Sequence, residues 1–268
     1  MLIKHEIKGT SCQMAVCQVD PGQTMYCEAG KFLWKTANMG LETRFTTPEQ
    51  EEENKSKGLL GKALSTAVEV GKRQLAGESL AMQYFTPNGG SGLVTFAGTL
   101  PGSIRSIELD GTREWTAEKD AFVAAESTVK FDIKFAGFTT GRRGGDGFVL
   151  EKFTGEGTLL IAGAGDFIDL NPSDYGGKIQ VDTGCVVAFD DNISYGVEHI
   201  GKFNAQGIKT AMFGGESFSL ATLEGNGQVI LQSVSMVALA RTLVGAASQA
   251  STEGTAGSIR GILGGGTD

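Results

Sequence analysis

Three carboxylates have the spacing of residues that could share one chemical task. Glu78, Asp146 and Glu216 each follow a glycine and open an alternating stretch: Glu78-Ser-Leu-Ala-Met, Asp146-Gly-Phe-Val-Leu and Glu216-Ser-Phe-Ser-Leu. Gathered near one axis, three like charges repel unless a cation, water or backbone donors meet them. They are the candidate ligand-binding residues, suited to a cation or a small cationic molecule. A second acidic set, Asp20, Asp110 and Asp182, closes the runs Cys17-Gln-Val-Asp20, Ile107-Glu-Leu-Asp110 and Ile179-Gln-Val-Asp182. Each has Pro or Gly within two residues, where a short carboxylate caps its own turn, so a structural role is expected there.

The remaining reactive types form no catalytic constellation. His5 and His199 are far apart in sequence and belong to no metal-ligand spacing or nucleophile motif. Cys17 and Cys27 fall in columns where the other copies of the pattern carry apolar residues, which reads as core. Cys185 has no clustered His or Cys to activate it or share a metal. The run Gly141-Arg-Arg-Gly-Gly-Asp-Gly lacks the lysine and hydroxyl of a phosphate-binding loop, and a tight loop with an exposed basic pair fits better. No catalytic residue, metal ligand or cofactor is assigned, and the expectation is a protein that is not an enzyme.

The elements that position these residues come in three similar copies. The acid-led anchor steps by 146 − 78 = 68 and 216 − 146 = 70 residues, and the aspartate-ended anchor by 110 − 20 = 90 and 182 − 110 = 72. Within each copy the anchors lie 58, 36 and 34 residues apart, so the first copy carries an insertion. Gly92, Gly157 and Gly227 share one column before the last strand of each copy, a place for positive φ. The reading is an all-β chain with repeats at 1–97, 98–162 and 163–240, followed by a flexible tail at 241–268.

The insertion, at about 49–76, opens with Glu51, Glu52 and Glu53 and continues as a helical pattern over 59–75. Leu60, Leu64 and Val68 fall on one face, and Lys72 and Arg73 flank it. These five are the candidate residues for contact with a membrane surface or a partner; packing against the protein itself is the simpler alternative.

The chain's 31 acidic and 23 basic residues give a net charge of −8, with no basic stripe to track a phosphate backbone, so nucleic acid is an unpromising partner. No stretch approaches the ~18 apolar residues of a membrane span. The charged start Met1-Leu-Ile-Lys-His-Glu has no apolar segment of a secretory leader, and with four unclustered cysteines a cytoplasmic location is expected.

Taken in order, Val19-Asp-Pro-Gly-Gln, Glu28-Ala-Gly, Leu75-Ala-Gly-Glu-Ser-Leu, Leu109-Asp-Gly, Gly144-Gly-Asp-Gly, Val181-Asp-Thr-Gly-Cys-Val-Val-Ala-Phe and Phe213-Gly-Gly-Glu-Ser resemble the altered inheritance of mitochondria protein 24 family. The likeness covers nearly all of residues 1–240. It implies three small β-barrel or sandwich units about a pseudo-threefold axis, similar to the tryptophan RNA-binding attenuation protein fold. The family offers no agreed catalytic residues to carry over, and its mitochondrial members are associated with inner-membrane organisation. The functional expectation is a scaffold or assembly protein that self-associates or takes a protein partner, with peripheral membrane contact. The alternative is a small-molecule or cation binder using Glu78, Asp146 and Glu216.

Overall fold

The computed structural model describes residues 2–44, 81–136, 148–199, 219–235, 238–240 and 242–245. Short apolar runs broken by glycine turns form antiparallel strands throughout. The first seven are β1 (Lys4–Lys8), β2 (Met14–Val19), β3 (Met25–Glu28), β4 (Phe32–Lys35), β5 (Met39–Arg44), β6 (Met82–Pro87) and β7 (Gly92–Ala97). The middle of the chain supplies β8 (Gly102–Asp110), β9 (Trp115–Glu118), β10 (Phe122–Glu126), β11 (Val129–Ala136) and the long β12 (Phe148–Ala164). The last six are β13 (Phe167–Leu170), β14 (Lys178–Asp182), β15 (Val186–Asp190), β16 (Ile193–His199), β17 (Ser219–Gly225) and β18 (Val229–Gln232). The helix expected over 59–75 lies outside the described residues; residues 238–240 and 242–245, at and beyond the expected start of the tail, are helical.

Strand pairing follows one scheme along the chain. β7 lies between β2 and β4, the second half of β12 between β8 and β10, and β18 between β13 and β15. Likewise β6 lies between β3 and β5, the first half of β12 between β9 and β11, and β17 between β14 and β16. Two further pairings join these groups laterally. β3 pairs β10, with Ala124 facing Cys27, and β9 pairs β15, with Ala188 facing Ala117.

In β10 and β15 the lateral pairing occupies the backbone edges and the apolar clusters cover both faces. Phe122-Val-Ala-Ala-Glu and Val186-Val-Ala-Phe-Asp are accordingly apolar runs, and every residue in them is buried. Each run ends in an acid whose carboxylate stays inside because the backbone supplies donors. Glu126 accepts from the Ile3 amide at 2.7 Å and the Thr158 amide at 3.3 Å, and Asp190 accepts from the amides of Asn192 at 3.0 Å and Gln228 at 2.9 Å. At the matching place after β4, the Thr36 hydroxyl accepts from the Leu93 amide at 3.0 Å. Leu93, Thr158 and Gln228 each follow a glycine of the column noted in the sequence.

That column is constrained by space more than by dihedral angle. Gly157 alone of the three has a positive φ, 143°. A Cβ at Gly92 would run into the Met39 side chain, one at Gly157 would meet Thr128 Oγ1 at 2.9 Å, and one at Gly227 would strike the Asp190 carboxylate. A turn dihedral was the expected reason; close approach of a neighbouring side chain is the reason that covers all three.

Buried apolar residues gather in three clusters. In the largest, the Phe122 ring lies 5.7 Å from Tyr26, 5.8 Å from Phe131 and 5.3 Å from Phe153, tying β3, β10, β11 and β12 together. The Tyr26 hydroxyl, sealed inside, donates to the Val129 carbonyl at 3.0 Å. The other clusters centre on Phe85 and Phe96, and on Leu150, Phe189 and Leu223. Strand β4 contrasts with this packing: Leu33 is 50% and Trp34 44% exposed. Denaturant unfolding of the dilute protein should show Phe122→Ala lowering stability by roughly 3–5 kcal/mol, as a large core deletion does. Trp34→Ala should cost about 0.5 kcal/mol or less in the same measurement, as surface changes do.

Candidate functional site

A cleft with a mostly apolar lining and a few polar groups lies beside the β9–β15 pairing. Its volume is about 250 Å³, and Thr99, Glu118, Asp120, Val186 and Gln232 are among the residues that line it. Strand β9 delivers Glu118 as its last residue, and the 3-10 turn Lys119–Ala121 then folds back on it, with the Glu118 carboxylate accepting from the Asp120 amide at 2.8 Å. Lys31, only 5% exposed, reaches in just before β4. Its ammonium donates to Thr99 Oγ1 at 2.9 Å and to the Asp120 carbonyl at 3.2 Å. Gln232 is fixed at both ends of its amide, accepting from the Ala164 amide and donating to the Gly184 carbonyl, each at 2.8 Å.

Removal of water from around Glu118, reinforced by the Asp120 charge, pushes its carboxyl from an ordinary 4.5 up to about 8. The Asp120 amide, Lys119 and Lys31 act in the opposite sense without overcoming this. At neutral pH the cleft therefore presents a mostly protonated carboxyl near an ammonium already bound to oxygen acceptors. That arrangement suits holding a small polar group or water. Burial, with a further push from the Glu118 charge, raises the Tyr195 phenol to about 12.

Glu78, Asp146 and Glu216 lie outside the described residues, as do Leu60, Leu64, Val68, Lys72 and Arg73 and the Arg142-Arg143 loop. Asp110 and Asp182 cap their own turns as expected, whereas the Asp20 carboxylate is held by side chains. Asp20 accepts from Gln18 Nε2 at 2.9 Å and Ser91 Oγ at 2.6 Å, Asp110 from the Thr112 amide at 2.9 Å, and Asp182 from the Gly184 amide at 2.8 Å.

They are not one column, however. Asp20 and Asp110 end strands that pair β7 and the second half of β12, whereas Asp182 ends β14, which pairs β17. Glu118, at the end of β9, pairs the first half of β12 and has the better correspondence to Asp182. Sequence reading missed Glu118 because it singled out acids that begin glycine turns or follow glycines.

Cys17 and Cys27 are buried as expected, and desolvation raises both thiols to about 12. Burial also raises the half-buried Cys185 thiol, with a further push from Asp182. No group of three or more His, Cys, Asp or Glu among the described residues is placed to hold a metal ion. No helix among them is long and apolar enough to cross a membrane.

Antiparallel sheets joined laterally, with a cleft at one joint, define a mostly β protein. The chain belongs to the AIM24 family, described as mitochondrial biogenesis AIM24, whose model matches residues 5–234. Its fold is similar to that of protein SPYM3_0169 from Streptococcus pyogenes, solved by X-ray crystallography. That match has a TM-score of 0.66 and 21% identity, and covers 90% of this chain and 98% of that one. No curated protein matches the sequence.

The raised Glu118 carboxyl has a measurable consequence. Between pH 4.5 and about 8 the folded protein holds a proton there that the unfolded chain releases, so this residue lowers stability as pH rises through that window. Glu118→Gln keeps a carbonyl oxygen for the Asp120 amide. Denaturant midpoints measured from pH 4.5 to 8 should fall less steeply for this variant than for the parent; equal slopes would contradict the assignment.

Proposed function

We propose that this protein is a non-enzymatic assembly protein whose working parts are its strand edges. The observation that carries the reading is the lateral pairing itself: β3 with β10 and β9 with β15 join successive pieces of the chain by backbone hydrogen bonds in the same sense. A platform built this way extends by adding strands, and needs no reactive centre.

The triplicated reading of the sequence supports this role. The units we propose are residues 1–97, 98–162 and 163–240. Their support is the matched pairing scheme, the Gly92, Gly157 and Gly227 column, and the acceptors Thr36, Glu126 and Asp190 on the amides that follow it. Three units about a pseudo-threefold axis, as the resemblance implies, is one arrangement; a row with open ends is another. Sedimentation velocity of the full chain should show a mass that rises above the monomer with concentration. A monomer at every concentration would contradict the assembly role.

Peripheral membrane contact is part of the same proposal and is assigned to the segment with Leu60, Leu64, Val68, Lys72 and Arg73. Flotation with anionic vesicles should recover the full chain and lose it when residues 49–76 are deleted. Equal recovery of both forms would remove the segment from that role.

A further inference from the structure

The first and last of the proposed units each present a strand that has no lateral partner among the described residues, and the two strands belong to the two sides of one joint. β10 and β15 are the receiving strands, each carrying a register shift against its neighbour: Phe122 and Ala124 pair with successive residues Ile161 and Leu160, and Val186 and Ala188 with Leu231 and Ile230. β4 has the same irregularity, with Phe32 and Trp34 facing Phe96 and Thr95. The donating strands are β3 and β9, and β14 stands in their position, next to β17 as they stand next to β6 and β12.

Burial separates the joined strands from the unjoined ones. β10 and β15 are buried at every residue, while β4 is half-buried at its ends and exposed at Leu33 and Trp34. On the other side, β3 is buried at Met25, Tyr26 and Cys27, and β9 at Trp115 and Ala117, while β14 has no buried residue and exposes Lys178 and Gln180. An edge strand carrying exposed Leu and Trp offers free backbone donors and acceptors together with apolar surface, which native proteins normally cover or blunt with charge.

We infer that β4 of one molecule pairs antiparallel with β14 of a second copy of this chain, repeating between molecules the joint made twice within each. This rests on the assembly role proposed above and names its surface and partner. The internal joints supply the register. Ala124 and Ala188, the first residues past the shift, face Cys27 and Ala117. Those two pair with Gln83 and Glu151, each four residues before the partner of Met39 or Val129 at the start of the adjoining hairpin strand. Four residues before Gly225, the partner of Ile193, is Ala221, which pairs with Val181.

Trp34 therefore meets Val181, Lys35 meets Gln180, and Thr36 meets Ile179. Trp34 gains apolar cover from Val181, and the Lys35–Gln180 pair juxtaposes no like charges. Because the two surfaces differ, the contact is head-to-tail: copies add into a ring if the rotation closes and into a filament if it does not.

A mixing experiment tests this. Trp34→Lys disables β4 and leaves β14 intact; Gln180→Lys sets a second lysine against Lys35, disabling β14 and leaving β4 intact. Both positions are solvent-facing, and the amine introduced by Gln180→Lys can still meet Glu198, which Gln180 now contacts at 2.7 Å. Each variant alone should associate at least roughly tenfold more weakly than the parent, the scale of losing an aromatic anchor or opposing two like charges. Mixed in equal amounts, the two should form a one-to-one dimer and stop there, because the remaining edges are both disabled.

A parent that assembles while both variants assemble as well as it does would overturn the β4–β14 contact and leave the assembly role standing. So would a mixture that stays monomeric while the parent assembles. A parent that is monomeric throughout, with the edges closed on the chain itself or covered by its own segments, would overturn both.

Discussion

Everything in this fold leans on two strands that are buried at every residue. β10 and β15 take part in the lateral joints, which occupies their backbones, and the apolar clusters pack against both of their faces. That demands apolar side chains at consecutive positions, which Phe122-Val-Ala-Ala and Val186-Val-Ala-Phe provide. It also demands a way out of the sheet for the chain. Glu126 and Asp190 meet that second demand by turning their carboxylates onto backbone amides, satisfying donors that the interrupted ladder would otherwise leave unpaired. The glycines at 157 and 227 follow from this, because the acid and its loop occupy the space where a side chain would sit.

The same constraint explains where the cleft forms. At the β9–β15 joint the chain must pass from the end of β9 to the start of β10 through the tight turn Lys119–Ala121, and that turn fixes the half-buried Glu118 carboxylate through the Asp120 amide. Lys31 enters from the first proposed unit, outside this joint, and is secured by the Asp120 carbonyl and Thr99. A carboxyl that favours its proton at neutral pH is thus a product of how the joint is built.

Much of the β architecture was legible because alternation and glycine punctuation are local. Cys17 and Cys27 read as core from the company they keep, and they are core. Positional equivalence was less legible. Ile179-Gln-Val-Asp182 matches Ile107-Glu-Leu-Asp110 in pattern, yet its strand pairs with β17 and takes the place of β9. Two half-buried strands that end in an aspartate turn look alike locally, and only their long-range partners tell them apart. The short Phe167–Leu170 strand, which pairs β18 as β8 pairs β12, offered too little alternation to compete. Thr36, Glu126 and Asp190 escaped notice for a different reason. They share a hydrogen-bonding task but not a residue type, so no column of identical letters marks them. The exposure of Leu33 and Trp34 was hidden as well, since a run of apolar residues reads the same whether its edge is paired or open.

Amide hydrogen exchange, followed strand by strand at increasing protein concentration, bears most directly on the claim that strand edges are the working parts of this molecule. The account predicts that β10 and β15 stay protected at all concentrations, while β4 and β14 exchange quickly in dilute solution and gain protection together as the concentration rises. Fast exchange of β4 and β14 that never slows, or protection of one without the other, would contradict it.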